Sequence, residues 1–259
     1  MNLELDGKVV LVTGGSDGLG AALCQRLVAE GARVAFCARN EERLRAAEQR
    51  LREAGGQALA IAADVTRGSD VDRFVTSAYD RFGRIDALVN NAGTSAARPF
   101  ESLTDEELEA DLQLKLFAAV RASRLVLPHL RAAGGGAILS VLAIAAKAPG
   151  ARSTPTSLSR AAGLALTKAL SKEVGADRIR VNAVLIGNVQ SGQWARRASA
   201  RGVSVEDLYE QMARESGVPL GRVGRAEEFA DLAAFLVSPR ASYISGAAIN
   251  FDGGLSAVV

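Results

Sequence analysis

The sequence is poor in the side chains that build metal centres. It contains one histidine and two cysteines among 259 residues. Cys24 and Cys37 fall in a helical and a strand-like stretch and lack the close spacing of zinc ligands. We therefore expect two reduced, packed thiols and no metal site. The single histidine, His129, lies near the end of a long helical pattern, where we expect a surface residue.

Basic and acidic residues are nearly equal in number. The chain has 31 basic and 29 acidic residues, a formal net charge of +2, and both kinds are spread along its length. Surfaces that bind nucleic acid or lipid headgroups need a concentrated basic face, which is missing here. The densest basic cluster, Arg196, Arg197 and Arg201, predicts one solvated helix face. We expect neither a nucleic-acid nor a membrane partner.

Long apolar runs are also missing. No stretch reaches the length of about 18 apolar residues that a membrane-spanning helix needs. The first residues do not show the basic segment and apolar core of a signal peptide, so we expect a cytoplasmic protein. Apolar residues make up 48% of the chain and charged residues 23%, which is ordinary for a globular enzyme and excludes disorder.

Short apolar runs alternate with helical patterns along the whole chain. The runs predict strands at residues 9–13, 33–38, 58–63, 87–89, 137–143, 180–186 and 247–250. The patterns predict helices at 21–30, 41–54, 71–82, 104–128, 154–173, 204–215 and 226–237. We expect residues 187–202 to be irregular. Strands separated by helices indicate an α/β fold with a parallel, doubly wound sheet, and no repeat or linker divides residues 1–259.

Residues at two helix starts carry specific signals. Thr104 followed by Glu107 forms a capping box that opens the long fourth helix. Pro155 suits the first position of the fifth helix, where its missing amide hydrogen costs nothing. We expect Ser153 and Thr154 to cap that helix rather than to act as nucleophiles.

A glycine-rich turn, TGGSDGLG at residues 13–20, joins the first strand to the first helix. Gly14 and Gly20 can adopt backbone angles closed to other residues, and Gly18 has no side chain to block a phosphate at the helix N-terminus. The pattern predicts a dinucleotide cradle. A tight strand-to-helix turn without a ligand is the alternative, because a lone glycine pattern is a weak signal.

Several motifs in order make the chain resemble the short-chain dehydrogenase/reductase family over essentially its whole length. They are the glycine turn, Asp64-Val65, the NNAG stretch at 90–93, and the tail with Asp252-Gly253-Gly254. The resemblance implies a single Rossmann-type domain with helices on both faces of the sheet, and a homo-oligomer, a dimer or commonly a tetramer. The cofactor contacts it implies are Gly14, Ser16, Asp17, Gly18, Leu19, Gly20, Asp64, Val65, Asn91, Ala92, Gly93, Arg160, Gly187, Val189 and Ser191.

The end of the second strand indicates which dinucleotide binds. NAD binders have an acidic residue there for the ribose hydroxyls, whereas this chain has Ala38 followed by Arg39. A guanidinium can pair with a 2′-phosphate, so NADP(H) is favoured over NAD(H). Arg39 could instead stack on adenine or face solvent, and Asp17 adds no positive charge to the turn.

The resemblance places different residues at all four of the family's catalytic positions. Lys115 stands in place of asparagine, Ala143 in place of serine, Thr156 in place of tyrosine and Arg160 in place of lysine. No shift of register restores a tyrosine, because the chain has tyrosine only at positions 79, 209 and 243.

These replacements change the proton chemistry. The aliphatic hydroxyl of Thr156 is a much weaker acid than a phenol, which disfavours ordinary alcohol dehydrogenase chemistry. Arg160, one helical turn after Thr156, could hold ribose hydroxyls but not carry a proton. Lys115 could donate the proton if burial and a neighbouring cation lower its pKa, or it could extend to solvent. Two cations near the nicotinamide suit an anionic substrate or a developing oxyanion.

Residues 187–216 are predicted to form a lid over the substrate. Val189 keeps a backbone contact to the nicotinamide and Ser191 keeps a hydroxyl, so binding of the whole cofactor is expected. Gln193, Trp194 and the helix around Tyr209 and Met212 are predicted to cover the site.

Three functions remain open. The first is an NADPH-dependent reductase of an activated C=O, C=N or C=C bond in a small molecule. The second is a non-redox lyase, hydratase or cyclase on the same fold. The third is a silent NADP-binding sensor or partner subunit.

Overall fold

Seven parallel strands form one sheet in a computed structural model that describes all residues, 1–259. The sheet order is β3-β2-β1-β4-β5-β6-β7, and every registered strand pair is parallel. The strands are β1 Val9–Thr13, β2 Arg33–Ala38, β3 Ala58–Ala62, β4 Ala87–Asn90, β5 Gly136–Ala143, β6 Ile179–Ile186 and β7 Ala248–Phe251. The predicted doubly wound Rossmann-type sheet in a single domain is confirmed.

Nine α-helices cover the two faces of the sheet. They are α1 Gly18–Ala29, α2 Glu41–Glu53, α3 Gly68–Phe82, α4 Asp105–Leu112, α5 Ala118–Ala132, α6 Thr156–Glu173, α7 Gly192–Arg201, α8 Val205–Ser216 and α9 Ala226–Val237. None of the helices is both long and apolar enough to cross a membrane.

Two hydrophobic clusters lie on opposite faces of the sheet because side chains alternate along each strand. Val10 and Val12 of β1 pack with α1, α2 and α9. Val9 and Leu11 of the same strand pack with α3 and α5. Both faces are therefore buried, which explains why the strands read as continuous apolar runs.

The chain reverses its direction across the sheet between β1 and β4. From this point β2 and β3 extend one way and β5, β6 and β7 the other. The carboxyl ends of β1 and β4 are joined by Thr13, whose Oγ1 accepts hydrogen bonds from Asn91 N at 3.0 Å and Ala92 N at 3.1 Å. Ligands of doubly wound sheets bind in the crevice at such a switch point.

The predicted long helix over 104–128 is interrupted. A π-turn, Gln113–Phe117, separates α4 from α5, with the backbone N–H of Ala118 bonded to Gln113 O. The π-turn inserts one residue into a helix whose apolar spacing is otherwise unbroken, so periodicity gave no sign of it. The capping box of Thr104 and Glu107 is present as predicted.

The expectation that residues 187–202 are irregular was wrong, since α7 occupies most of this segment. Its sequence, GQWARRASAR, buries only Ala198, so there is no apolar stripe to reveal it. It ends at Gly202, which has the positive φ of 68° common just after helices.

The predicted start of α6 was also wrong in detail. Pro155 precedes the first helical residue, Thr156, and no side chain caps the helix. Ser153 Oγ donates instead to Gly150 O at 2.7 Å. Cys24 and Cys37 are buried free thiols, as predicted. His129 is half-buried rather than fully on the surface, and its ring lies 4.4 Å from that of Tyr79.

Candidate functional site

The glycine turn is packed tightly on one side and open on the other. Asn91 Nδ2 donates to Thr13 O at 2.9 Å and to Gly14 O at 3.0 Å, which holds the turn against the loop after β4. A Cβ at Gly20 would collide with Gly14 O. At Gly18, which has a φ of +54°, the nearest atom to an added Cβ is 3.4 Å away in Ser191. The turn therefore leaves the N-terminus of α1 approachable, as a dinucleotide cradle requires.

A cavity of about 850 Å³ runs along the carboxyl ends of the strands from this turn. Small-molecule and cofactor sites occupy about 300–1,000 Å³, so the cavity has the size of such a site. It is lined by every residue predicted to contact the cofactor: Gly14, Ser16, Asp17, Gly18, Leu19, Gly20, Arg39, Asp64, Val65, Asn91, Ala92, Gly93, Arg160, Gly187, Val189 and Ser191. Ala143 and Thr156 also line it, whereas Lys115 lies behind Thr156.

Arginines surround the end of the cavity near β2. Arg39 is exposed and makes no salt bridge, and Arg43 of α2 lies 3.8 Å from Asp17 Oδ2. Burial raises the pKa of Asp64, but hydrogen bonds from Thr66 and the charge of Arg39 outweigh it, and the pKa lies below its usual value. This end of the cavity is thus rich in cations, which favour the ionised form of Asp64.

Lys115 is fully buried and does not extend to solvent. Its side chain is 0% exposed, because the π-turn aims it into the protein. Its Nζ donates to Thr156 Oγ1 at 3.2 Å and forms a short salt bridge with Asp111. Burial lowers the pKa of Lys115, and the charge of Arg160 lowers it further, while Asp111 opposes both effects.

Arg160 crosses beneath the cavity from α6 to β5. Its Nη1 donates to Val141 O at 2.6 Å, and a Cβ added to Gly93 would lie only 2.7 Å from its Nη2. Its Nε is buried without a partner. Burial lowers the pKa of this guanidinium to about 10, against the charge of Asp111. Arg160 is therefore a desolvated cation with free hydrogen-bonding capacity at the cavity floor.

Thr156 places a hydroxyl between the buried cations and the cavity. Its Oγ1 accepts hydrogen bonds from Ala96 N at 3.1 Å and from Lys115 Nζ. Two donors to one hydroxyl oxygen leave its own proton to be donated elsewhere. Because Thr156 lines the cavity, the direction left for that donation is toward a bound molecule.

Comparison with known proteins assigns the family. The family model for short chain dehydrogenase matches residues 8–202. The chain belongs to the short-chain dehydrogenase family. The resemblance inferred from the glycine turn and the NNAG stretch is thereby confirmed, and with it membership of an oxidoreductase family.

Three relatives of this chain are informative. A short chain oxidoreductase of Pseudomonas aeruginosa PAO1 that contains an atypical catalytic center is 39% identical, covering 99% of this chain and 100% of its own, with a TM-score of 0.94. The NADPH-bound structure of the same protein has a TM-score of 0.93. L-Sorbose reductase of Gluconobacter frateurii, complexed with NADPH and L-sorbose, is 34% identical over 100% of both chains, with a TM-score of 0.95. The short-chain reductase protein NovJ of Streptomyces niveus is 34% identical over 95% of this chain and 93% of that protein.

Two residues of the site, Asp111 and Ser159, were missed by sequence reasoning. The side chain of Asp111 is 2% exposed, and its Oδ2 accepts from Ser159 Oγ at 2.6 Å. The spacing of Asp111 and Lys115, four residues apart in a helical pattern, could have suggested the pair. With Asp111 and the cations Lys115 and Arg160, the cluster carries one negative and two positive charges, a net +1.

Residues 187–216, predicted to form a lid, line the cavity only in part. Gln193 and Trp194 line the cavity, as expected. Tyr209 and Met212 do not, and the Tyr209 hydroxyl instead accepts from Ser191 N at 3.3 Å. Tyr209 therefore contacts the residue before α7 rather than the cavity.

The basic cluster on α7 is exposed, and two of its arginines also contact neighbouring side chains. Arg196 pairs with Asp17 across the cavity mouth, and Arg197 lies over the Trp194 ring at 4.6 Å from its centroid. Arg201 is exposed and makes no salt bridge. All three arginines are exposed, as predicted, but sequence alone could not place α7 beside the glycine turn.

Proposed function

We propose that this protein is an NADPH-dependent reductase of an activated C=O, C=N or C=C bond in a small molecule, with a non-classical proton donor. The observation that carries the proposal is the Thr156 hydroxyl, which lines the cavity and accepts hydrogen bonds from Ala96 N and Lys115 Nζ. The relative with an atypical catalytic center supports the idea that the family accommodates such sites.

A nicotinamide dinucleotide fits the residues present. The glycine turn leaves the N-terminus of α1 approachable beside Gly18, and the unpartnered Nε of Arg160 offers a donor at the cavity floor. The rest of the cofactor would be held by Asn91, Gly187, Val189 and Ser191. When bound, the cofactor supplies the hydride.

Thr156 delivers the proton in this proposal. As a substrate carbonyl is reduced, negative charge develops on its oxygen, and Thr156 gives its proton to that oxygen. Lys115 passes a proton to Thr156 Oγ1 in turn, which avoids a free alkoxide. A lowered pKa makes Lys115 a stronger acid than an ordinary lysine, and Ala96 N stabilises charge on the hydroxyl oxygen. Lys115 and Thr156 together can therefore donate the proton, although a threonine alone is too weak an acid.

The arginines near β2 support NADPH over NADH. Ala38 presents no acidic side chain to the ribose, while Arg39 is free to pair with a 2′-phosphate. Two relatives solved with NADPH, L-sorbose reductase and the Pseudomonas aeruginosa oxidoreductase, support this preference. The net positive charge of the buried cluster favours an anionic substrate or a developing oxyanion.

A homo-oligomer, a dimer or a tetramer, is also part of the proposal. Phe117 next to α5 and Leu158 on α6 are large apolar side chains exposed by 43% and 48%. Phe117 belongs to the π-turn that carries Lys115, and Leu158 to the helix that begins at Thr156. Burial between copies of the chain would remove both side chains from water.

Binding and turnover are tested separately. Fluorescence titration should show NADPH binding more tightly than NADH, and absence of binding to both would sink the proposal. An absorbance screen of ketones, enones and imines with NADPH should then find oxidation of the cofactor. Binding without any turnover, on carbonyl substrates with and without a carboxylate, would favour a silent binding protein instead.

A further inference from the structure

Asp17 occupies the N-terminus of α1, where a helix favours an anion. Its Oδ1 accepts from Gly18 N at 2.8 Å, so the carboxylate takes one of the amide hydrogens that the turn presents. Asp17 also lines the same cavity as Arg39. An acidic side chain in this place repels a phosphate and competes with it for the same donors.

Two arginines from different elements converge on this carboxylate. Arg196 of α7 lies 2.6 Å from Asp17 Oδ2 and Arg43 of α2 lies 3.8 Å from the same oxygen. Arg196 reaches across 179 residues of sequence from the lid to the turn. Both arginines line the cavity, and no other acidic side chain pairs with either of them.

The ion pair alone does not explain this arrangement. The side chains of Arg196 and Asp17 are 52% and 40% exposed, and pairs this exposed contribute little to stability. The start of α7 nevertheless lies against the turn, since a Cβ at Gly192 would collide with the Asp17 carboxylate. The contact with Asp17 holds the long cationic side chain of Arg196 at the mouth of the cavity, beside the glycine turn.

We propose that Arg196 is a ligand for a phosphate of the bound nicotinamide dinucleotide, and that Asp17 is the anion it exchanges for that phosphate. This inference rests on the proposed function only in taking the cofactor to be a nicotinamide dinucleotide. A 2′-phosphate, or the pyrophosphate taken as a whole, carries more charge than a carboxylate and offers more acceptor oxygens to a guanidinium. Cofactor binding then transfers the Arg196 guanidinium from Asp17 to the phosphate, with Arg43 as the second cation.

The test compares variants that break the same ion pair with opposite expected effects. Arg196→Gln should weaken cofactor binding about tenfold, the loss of one charge-assisted hydrogen bond. Asp17→Asn keeps an oxygen for Gly18 N but removes the negative charge, so it should tighten binding about threefold. If the pair were only a latch that closes the lid, both variants would weaken binding equally.

Arg201→Gln is the matched control, because it removes the same charge from the same helix outside the cavity. Dissociation constants for NADPH and NADH are measured by calorimetric or fluorescence titration, after thermal unfolding shows that each variant is folded. Weakening for NADPH alone assigns Arg196 to the 2′-phosphate, and weakening for both assigns it to the pyrophosphate.

Three results overturn the inference. They are an Arg196→Gln variant that binds like Arg201→Gln, an Asp17→Asn variant that does not bind more tightly, and a wild-type protein that binds neither cofactor. Only the last also removes the proposed function. Loss of turnover in a Thr156 variant with normal binding leaves this inference untouched.

Discussion

Replacing Lys115 by methionine tests the link between the buried cation and Thr156. The Lys115→Met change keeps much of the side-chain volume and removes the charge and the 3.2 Å hydrogen bond to Thr156 Oγ1. A hydrogen bond from a charged group contributes about 1.5–3 kcal/mol, which corresponds to a loss of about 10- to 100-fold in kcat. NADPH affinity should change little, because Lys115 does not line the cavity.

Stability complicates this variant and must be measured with it. Lys115→Met leaves Asp111 as a buried carboxylate whose remaining hydrogen bond comes from Ser159 Oγ. Breaking a buried ion pair on one side costs about 3–5 kcal/mol of unfolding free energy. The double variant Asp111→Asn/Lys115→Met removes both charges and keeps an acceptor for Ser159, so it should recover most of that loss, as measured by chemical denaturation.

A double-mutant cycle with Thr156→Val gives the decisive comparison. If Lys115 acts through the Thr156 hydroxyl, Lys115→Met should lower kcat in the wild type and have almost no effect once the hydroxyl is gone. The assay is the loss of NADPH absorbance with the best substrate from the screen. Equal effects of Lys115→Met in both backgrounds would refute the relay.

Three further predictions follow from the same geometry. In a pH profile of kcat, activity should fall as pH rises through the lowered pKa of Lys115, at a lower pH than for an ordinary lysine. Because burial disfavours the charged form of Lys115, the unfolding free energy should rise between its lowered pKa in the folded protein and its ordinary pKa in the unfolded chain. Gly20→Ala should abolish cofactor binding in titrations, since its Cβ would collide with Gly14 O, whereas Gly68→Ala, with no atom within 4 Å of the added Cβ, should bind normally. Leu158→Glu should shift the protein toward monomer in light scattering, and an unchanged mass would place the interface elsewhere.

The fold was readable from the sequence because local signals and packing agree. The buried residues of β1 and β2 are apolar except for Thr13, and both faces of the sheet are covered, so strand and helix patterns did not conflict. The glycine turn and the loop after β4 were correctly placed in one cavity because the carboxyl ends of parallel strands meet at one edge.

The contents of the site were less readable because they depend on contacts between distant segments. The π-turn that aims Lys115 inward leaves no mark in the apolar spacing. Asp111 looks like an ordinary acidic residue on a charged helix until Ser159 of α6 packs against it. Helix α7 lacks an apolar stripe, so its position beside Asp17 could only come from the structure.

The most direct test of the Thr156 proposal is a single-turnover measurement of NADPH oxidation in Thr156→Val and Thr156→Ser, with the cofactor dissociation constant measured in both. Removing the hydroxyl while keeping the side-chain shape should slow the chemical step by about 10² to 10⁴, the usual contribution of a general acid. Thr156→Ser should retain most of the rate, because it keeps the oxygen that Lys115 and Ala96 contact. A Thr156→Val enzyme that binds NADPH and reduces its substrate at the wild-type rate would contradict the account.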